Sequence, residues 1–317
     1  MGLDGIHHVT AISADAQRAI DFHAGVLGLR LVKTTVNFDA PDMYHLYFGD
    51  ETGSPGSILT FFEIRGAEVG RAGAGMISRT VFRVPSEASL VFWAERLGDA
   101  GRPVDWADGA VVSSDPEGLG LELVVHGPAD GAQRAAVAAG IPAEHAIAGI
   151  AGVRAHTAAP DFTRELLGRI GFEDEGMGRF VTSGAERRGL YLVDEGPAQR
   201  GIPGAGTVHH VAWTAPDAEH EAWGGRARQA GVRPTDVIDR QYFHSIYFRE
   251  PGGVLFELAT PSPGFAVDED PAELGRDLKL PPQFEPYREK IAERLTPLRR
   301  PEHPLVTATT TTEEDGR

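Results

Sequence analysis

Residues 5–12 read GIHHVTAI, an apolar run that places two histidines, His7 and His8, side by side. Neighbouring side chains of a strand point to opposite faces. His8 would therefore share a face with Ile6 and Thr10, and His7 with Val9 and Ala11. On that alternation at most one of the two looks into any given pocket. A single HH pair is more often solvated or satisfied in a core than bound to a metal. The pair recurs, however, as His209 and His210 in GTVHHVAW (206–213), again among apolar neighbours. Recurrence makes an internal repeat the first thing to test.

The repeat shows in its punctuation. A turn with Pro or Gly precedes each of three closing strands, in SPGSILTF (54–61), DPEGLGLELV (115–124) and EPGGVLFELAT (250–260). Opening strands stand at GIHHVTAI, at MISRTVFRVPS from Met76, at GVRAHTAAPD from Gly152 and at TVHHVAWTAPD from Thr207. A candidate helix follows each, over 16–29, 89–97, 163–172 and 221–231. Four copies of strand, helix and several strands result, an α+β chain. The copies divide it into an N-terminal domain over 1–127, an Ala/Gly-rich linker over 128–145 and a C-terminal domain over 146–262. An extension follows over 263–300, with a packing helix that places Ile291, Leu295 and Leu298 at helical spacing. The tail over 301–317 is too polar to fold.

Composition bounds the function. The 317 residues suit two domains of roughly 150 each. The absence of cysteine removes disulfides, thiolate ligands and cysteine nucleophiles together. A formal charge of −16 disfavours phosphate backbones and anionic membrane surfaces, so neither nucleic acid nor membrane is an expected partner. The first residues run into a patterned strand without a leader-like segment, and a cytoplasmic location is expected. Homo-oligomerisation is left open.

Equivalent positions in the copies separate chemistry from packing. Six residues before the proline that follows each opening strand stand His210 (from Pro216), Arg79 (from Pro85) and Arg154 (from Pro160). Six residues after the proline that opens each closing strand stand Glu257 (from Pro251), Glu122 (from Pro116) and Phe61 (from Pro55). Copies one and four thus supply two histidines and one glutamate, and copy one has exchanged its carboxylate for Phe61. Glu122 has Arg79 nearby and is expected to make at most an ion pair. Glu257, inside VLFELAT, needs a cation partner to be tolerable there. Two imidazoles and one carboxylate form the facial triad of non-haem Fe(II) oxygenases. His8 and His210 are the favoured imidazoles, although alternation alone leaves the other member of each pair open.

These blocks, with YHLYFGDETGSPGS (44–57) and DRQYFHSIYFREPGGVLFELAT (239–260), resemble the vicinal oxygen chelate superfamily. Within it the likeness is to the hydroquinone-type ring-cleaving dioxygenases, such as dichlorohydroquinone dioxygenase. The resemblance implies four βαβββ modules paired into two vicinal-oxygen-chelate domains. It implies His8, His210 and Glu257 as ligands of Fe(II), with Mn(II) also acceptable. It further implies Arg240 and Tyr247 as substrate-facing groups and His7, Thr10 and His209 as sources of outer hydrogen bonds. The expected reaction is extradiol-type opening of a hydroquinone or catechol by dioxygen, within aromatic walls such as Phe61, Tyr242 and Phe243. Plainer roles exist: Tyr247 as an ordinary strand aromatic, and Arg240 in a surface ion pair with Asp239 or Glu250. Two other functions use the same modules. A glyoxalase-like isomerase or lyase holds Zn or Ni with a second carboxylate, and a resistance protein sequesters a ligand without catalysis.

Overall fold

The computed structural model describes residues 2–127 and 134–299. Four modules follow one another. The first comprises β1 (Ile6–Ser13), α1 (Ala16–Ile20), β2 (Arg30–Asn37), β3 (Ala40–Gly49) and β4 (Ile58–Glu63). The second comprises β5 (Met76–Val84), α2 (Glu87–Asp99), β6 (Asp105–Ala107), β7 (Ala110–Ser114) and β8 (Gly120–Val125). The third comprises β9 (Ile150–His156), α3 (Pro160–Arg169), β10 (Glu173–Asp174), β11 (Arg179–Ser183) and β12 (Arg188–Asp194). The fourth comprises β13 (Thr207–Thr214), α4 (His220–Gln229), β14 (Ile238–Asp239), β15 (Phe243–Arg249) and β16 (Leu255–Pro263), and a last helix, α5, spans Arg288–Ala292.

Local chemistry sets the helix starts. Asp15 and Ser86 cap α1 and α2 by accepting from the Arg18 and Ser89 amides, and Pro160 occupies the first turn of α3. Along α2, Leu90, Trp93 and Leu97 recur at helical spacing and are buried. Two helices differ from the sequence reading. The run over 16–29 leaves α geometry after Ile20 and continues as a π-helical turn over Asp21–Val26. In the extension, α5 has only five residues, Arg288–Ala292; Ile291 and Leu295 are nevertheless buried. Part of the linker (128–133), Arg300 and the tail over 301–317 lie outside the described residues.

The sheets join modules that are distant in sequence. One eight-stranded sheet has the order β14-β15-β16-β13-β1-β4-β3-β2, and the other β10-β11-β12-β9-β5-β8-β7-β6. Module one therefore shares a sheet with module four, and module two with module three. At each centre the opening strands run antiparallel, β1 with β13 and β5 with β9, and each lies parallel to the closing strand of its own module. Behind the first sheet, Trp213 of β13 meets Phe172 and Tyr191 of module three, so the sheets share one apolar core.

The extension straps the β2 edge. Leu278 bridges Thr34, the Lys279 amide donates to the Thr34 carbonyl, and Gly275 passes so close to Leu31 that a Cβ would lie 2.0 Å from its carbonyl oxygen. The fully buried Lys33 of β2 donates to Asp268 and Glu269 on the strap. No described helix is long and apolar enough to cross a membrane.

Candidate metal centre

The central pair of the first sheet brings His8, His210 and Glu257 together. His8 Nε2 lies 3.2 Å from His210 Nε2 and 3.2 Å from Glu257 Oε2, which is 2.9 Å from His210 Nε2. Three donors at right angles, about 2.1 Å from a common centre, would stand ~3.0 Å apart. All three residues are buried, and together they form a group able to hold a metal ion. Burial pushes the Glu257 carboxyl up, but the two imidazoles more than offset it and hold the group well below the usual carboxylate range. Ser245 Oγ donates to Oε1, whereas Oε2 has no well-aligned donor. Among the described residues no lysine or arginine pairs with Glu257. An ionised, buried carboxylate facing two imidazole nitrogens fits a divalent cation.

Hydrogen bonds identify the free nitrogens. His7 Nε2 lies 3.1 Å from the Thr260 carbonyl, which can only accept, so Nε2 carries a proton. Burial pushes the His7 pKa well below its ordinary value, which leaves Nδ1 with a lone pair. That atom is 2.8 Å from His8 Nδ1. His8 therefore donates from Nδ1, which orients its Nε2 toward the centre. His209 and His210 repeat the Nδ1-to-Nδ1 contact at 2.8 Å. Burial pushes His209 down to about 4, so it too is neutral at physiological pH.

Both pairs sit at register shifts. In the β1–β13 ladder Ile6 opposes Trp213 and His8 opposes Ala212, passing over His7; Thr10 opposes His210 and Ala11 opposes Val208, passing over His209. Each is the extra residue of a β-bulge, which locally re-aims side chains. The expected alternation fails here for that reason, and His209 and His210 both line the same cavity.

Ladder register also corrects the position assigned to copy one. Glu257 pairs with Ala212, two residues beyond His210, and the residue paired two beyond His8 is Thr60. Thr60, not Phe61, takes the place of the carboxylate, because the stretch after the proline is one residue shorter in module one. Phe61 points to the opposite face, 1% exposed, with its ring 4.4 Å from His23. It is core rather than cavity wall. Tyr242 is likewise fully buried, its hydroxyl donating to Asp268. Phe243 does line the cavity, with Phe38 and Phe62.

The cavity over the triad has a volume of about 420 Å³. Tyr247 lines it, and Arg240 Nε donates to the Tyr247 hydroxyl at 3.3 Å. Arg240 makes its ion pair with Asp39, not with Asp239 or Glu250. Burial and the Glu257 charge push the Tyr247 phenol well above its ordinary range. Thr10 receives the Thr60 hydroxyl at 3.0 Å. Sequence reading passed over His45 and Tyr47, which also line the cavity. They stand two apart in YHLYFGDETGSPGS, and strand alternation alone would have put them on one face.

The second sheet fills the corresponding place with side chains. Glu122 accepts from Arg154 Nε at 2.5 Å and Nη2 at 2.9 Å, and lies 3.5 Å from Arg79. Asp194 takes the place equivalent to Thr60 and also binds Arg154. Guanidinium groups thus supply the positive charge there. A larger cavity of about 970 Å³ lies elsewhere, where Asp4 and Arg187 pair with one another.

Antiparallel pairing of module one with module four around a His-His-Glu centre defines a protein of modular, metal-site construction. The chain belongs to the Glyoxalase/Bleomycin resistance protein/Dioxygenase superfamily, whose profile matches residues 5–123 and 116–258. It is 43% identical to MhqO of Bacillus subtilis, named a ring-cleaving dioxygenase, over 92% of this chain and 96% of that one. It is 33% identical to the chlorohydroquinone/hydroquinone 1,2-dioxygenase of Sphingobium indicum, over 91% of this chain and 95% of that one. A crystal structure from Bacillus subtilis that bears the name dioxygenase superposes with a TM-score of 0.87 at 41% identity, covering 95% of this chain and 99% of that one.

Proposed function

We propose that this chain is a ring-cleaving dioxygenase that opens a hydroquinone or catechol-like ring with dioxygen, using Fe(II), or alternatively Mn(II), held by His8, His210 and Glu257. One observation carries the reading: Glu257 Oε2, which pairs with no lysine or arginine among the described residues, converges with His8 Nε2 and His210 Nε2 beneath a largely apolar cavity. The likeness to relatives named ring-cleaving dioxygenases supports it. When bound, such an ion supplies the charge that keeps a phenolate ionised and the redox chemistry with dioxygen.

The chain's own residues do the rest. Tyr247, kept protonated by its surroundings, accepts from Arg240 and lines the cavity, where its hydroxyl is available to donate to an oxygen of the ring substrate that gains negative charge. Asp39 holds the Arg240 guanidinium over the Tyr247 ring. His7 orients the His8 ring and His209 contacts the His210 ring in the same way, and Thr10 ends a hydroxyl chain beside His8. Phe38, Phe62 and Phe243 exclude water. Thr60 at the fourth position disfavours the two-carboxylate isomerase, and the cation-free Glu257 disfavours a metal-free binder.

The test is anaerobic reconstitution with ferrous or manganous ion, followed by oxygen uptake with a panel of hydroquinones and catechols. Metal-dependent uptake with a ring-opened product is the expected result. Metal binding without uptake on any member would overturn the dioxygenase reading.

A further inference from the structure

The two halves of the site are related residue by residue. On β15, Tyr247 lies opposite Glu257 and Ser245 two residues earlier donates to it. On β3, Tyr47 lies opposite Thr60 and His45 two residues earlier contacts it, Nε2 to Oγ1 at 2.9 Å. Tyr47 and Tyr247 are therefore counterparts, one from each module, and both line the cavity.

Their hydrogen-bond polarity is opposite. The Thr60 hydroxyl donates to Thr10, so it must accept from His45 Nε2–H. Burial keeps the His45 ring neutral. Its Nδ1 then bears a lone pair, and the atom 3.0 Å away is the Tyr47 hydroxyl. The Tyr47 proton is thereby committed to His45, and its oxygen can only accept from a ligand. Tyr247 receives its hydrogen bond from Arg240 and can donate.

We propose that Tyr47 is a specificity-determining residue: its oxygen, with its proton held by His45, accepts a hydrogen bond from a ring hydroxyl that stays protonated, while Tyr247 donates to the oxygen that is ionised. The cavity thus selects a dihydroxybenzene bound as its monoanion over a ring bearing one hydroxyl and an ether. This rests on the proposed function and adds the residue that reads the second hydroxyl.

The experiment measures anaerobic binding to metal-loaded protein by calorimetry, using hydroquinone, catechol and the mono-O-methyl ether of each. Wild type should prefer at least one diol over its ether by about tenfold, a span set by one neutral hydrogen bond at about 1.4 kcal/mol. Tyr47→Phe should lower the affinity for that diol about tenfold and leave the ether within about twofold, with metal content unchanged. His45→Leu frees the Tyr47 proton to point into the cavity, and should abolish the preference through a gain for the ether; it decides the matter if Tyr47→Phe does not fold. Retention of the full preference in Tyr47→Phe, or no preference in wild type, would overturn the assignment of Tyr47 alone. If metal-loaded wild type binds neither diol, the proposed function falls and the role of Tyr47 with it.

Discussion

His7 and His8, neighbours in the chain, share a hydrogen bond between their Nδ1 atoms at 2.8 Å. The bulge at His7 makes this contact possible, and the Thr260 carbonyl on His7 Nε2 gives it a direction. Changing either residue should therefore affect metal binding, to different extents. His8→Ala removes one of three donors and should strip the metal. His7→Leu removes only the group that orients a donor and should weaken affinity by about 10- to 100-fold. Chelator competition on the purified proteins measures both, and unaltered affinity in His7→Leu would show that the orientation is not needed.

Glu257 and Glu122 occupy the same place in their modules but face different cations. Glu257→Gln should empty the site and abolish oxygen uptake. Glu122→Gln should keep metal and uptake, yet lose about 3 kcal/mol of stability because the partly buried Arg154 loses a bidentate partner. Metal analysis together with chemical denaturation separates the two; loss of metal in Glu122→Gln and not in Glu257→Gln would place the centre in the other sheet.

Tyr247→Phe deletes one hydroxyl and little volume. Turnover should fall by roughly a hundredfold, with metal content unchanged, as befits a group engaged in proton donation rather than ligation. Single-turnover kinetics checks this, and an unchanged rate would return Tyr247 to a packing role.

Lys33 joins β2 to the strap through Asp268 and Glu269, with its ammonium also 4.9 Å from the Tyr242 ring. Lys33→Met leaves two carboxylates facing each other without their cation, at a cost of about 3 kcal/mol. Limited proteolysis should then cut within 264–299 sooner than in wild type. An unchanged cleavage rate would mean that Thr34, Leu278 and Gly275 hold the strap without the ion pair.

His23 is fully buried; its Nδ1 donates to the Ala19 carbonyl and its Nε2 has no partner. Burial pushes its pKa from 6.5 down to about 4. Between those values the unfolded chain binds a proton that the folded chain refuses, so the stability this neutral ring contributes is present above pH 6.5 and is lost as pH falls towards 4, to roughly 3 kcal/mol. His23→Phe should make unfolding less acid-sensitive by one proton over that window. Denaturation midpoints from pH 7 to 4 measure the slope; identical slopes would mean that His23 charges without leaving the fold.

Much of this protein was legible in its residues. Four opening strands, with Pro/Gly turns before three of the closing strands, mark four modules, because Gly and Pro supply the backbone angles that tight turns use. Recurrent histidines beside one retained glutamate mark a three-donor set, because a carboxylate amid VLFELAT must find a cation. Two things depended on the tertiary structure. Thr60 rather than Phe61 stands in the place of the second carboxylate, since hydrogen-bond register, not distance from a proline, decides which residues face each other across β1 and β4. Both members of each histidine pair are brought together, His7 touching His8 and His209 touching His210 through their Nδ1 atoms, since the bulges at His7 and His209 arise only when β1 and β13 meet. Alternation is a property of a single strand, whereas a bulge is a property of two, and β1 and β13 lie about 200 residues apart in the chain.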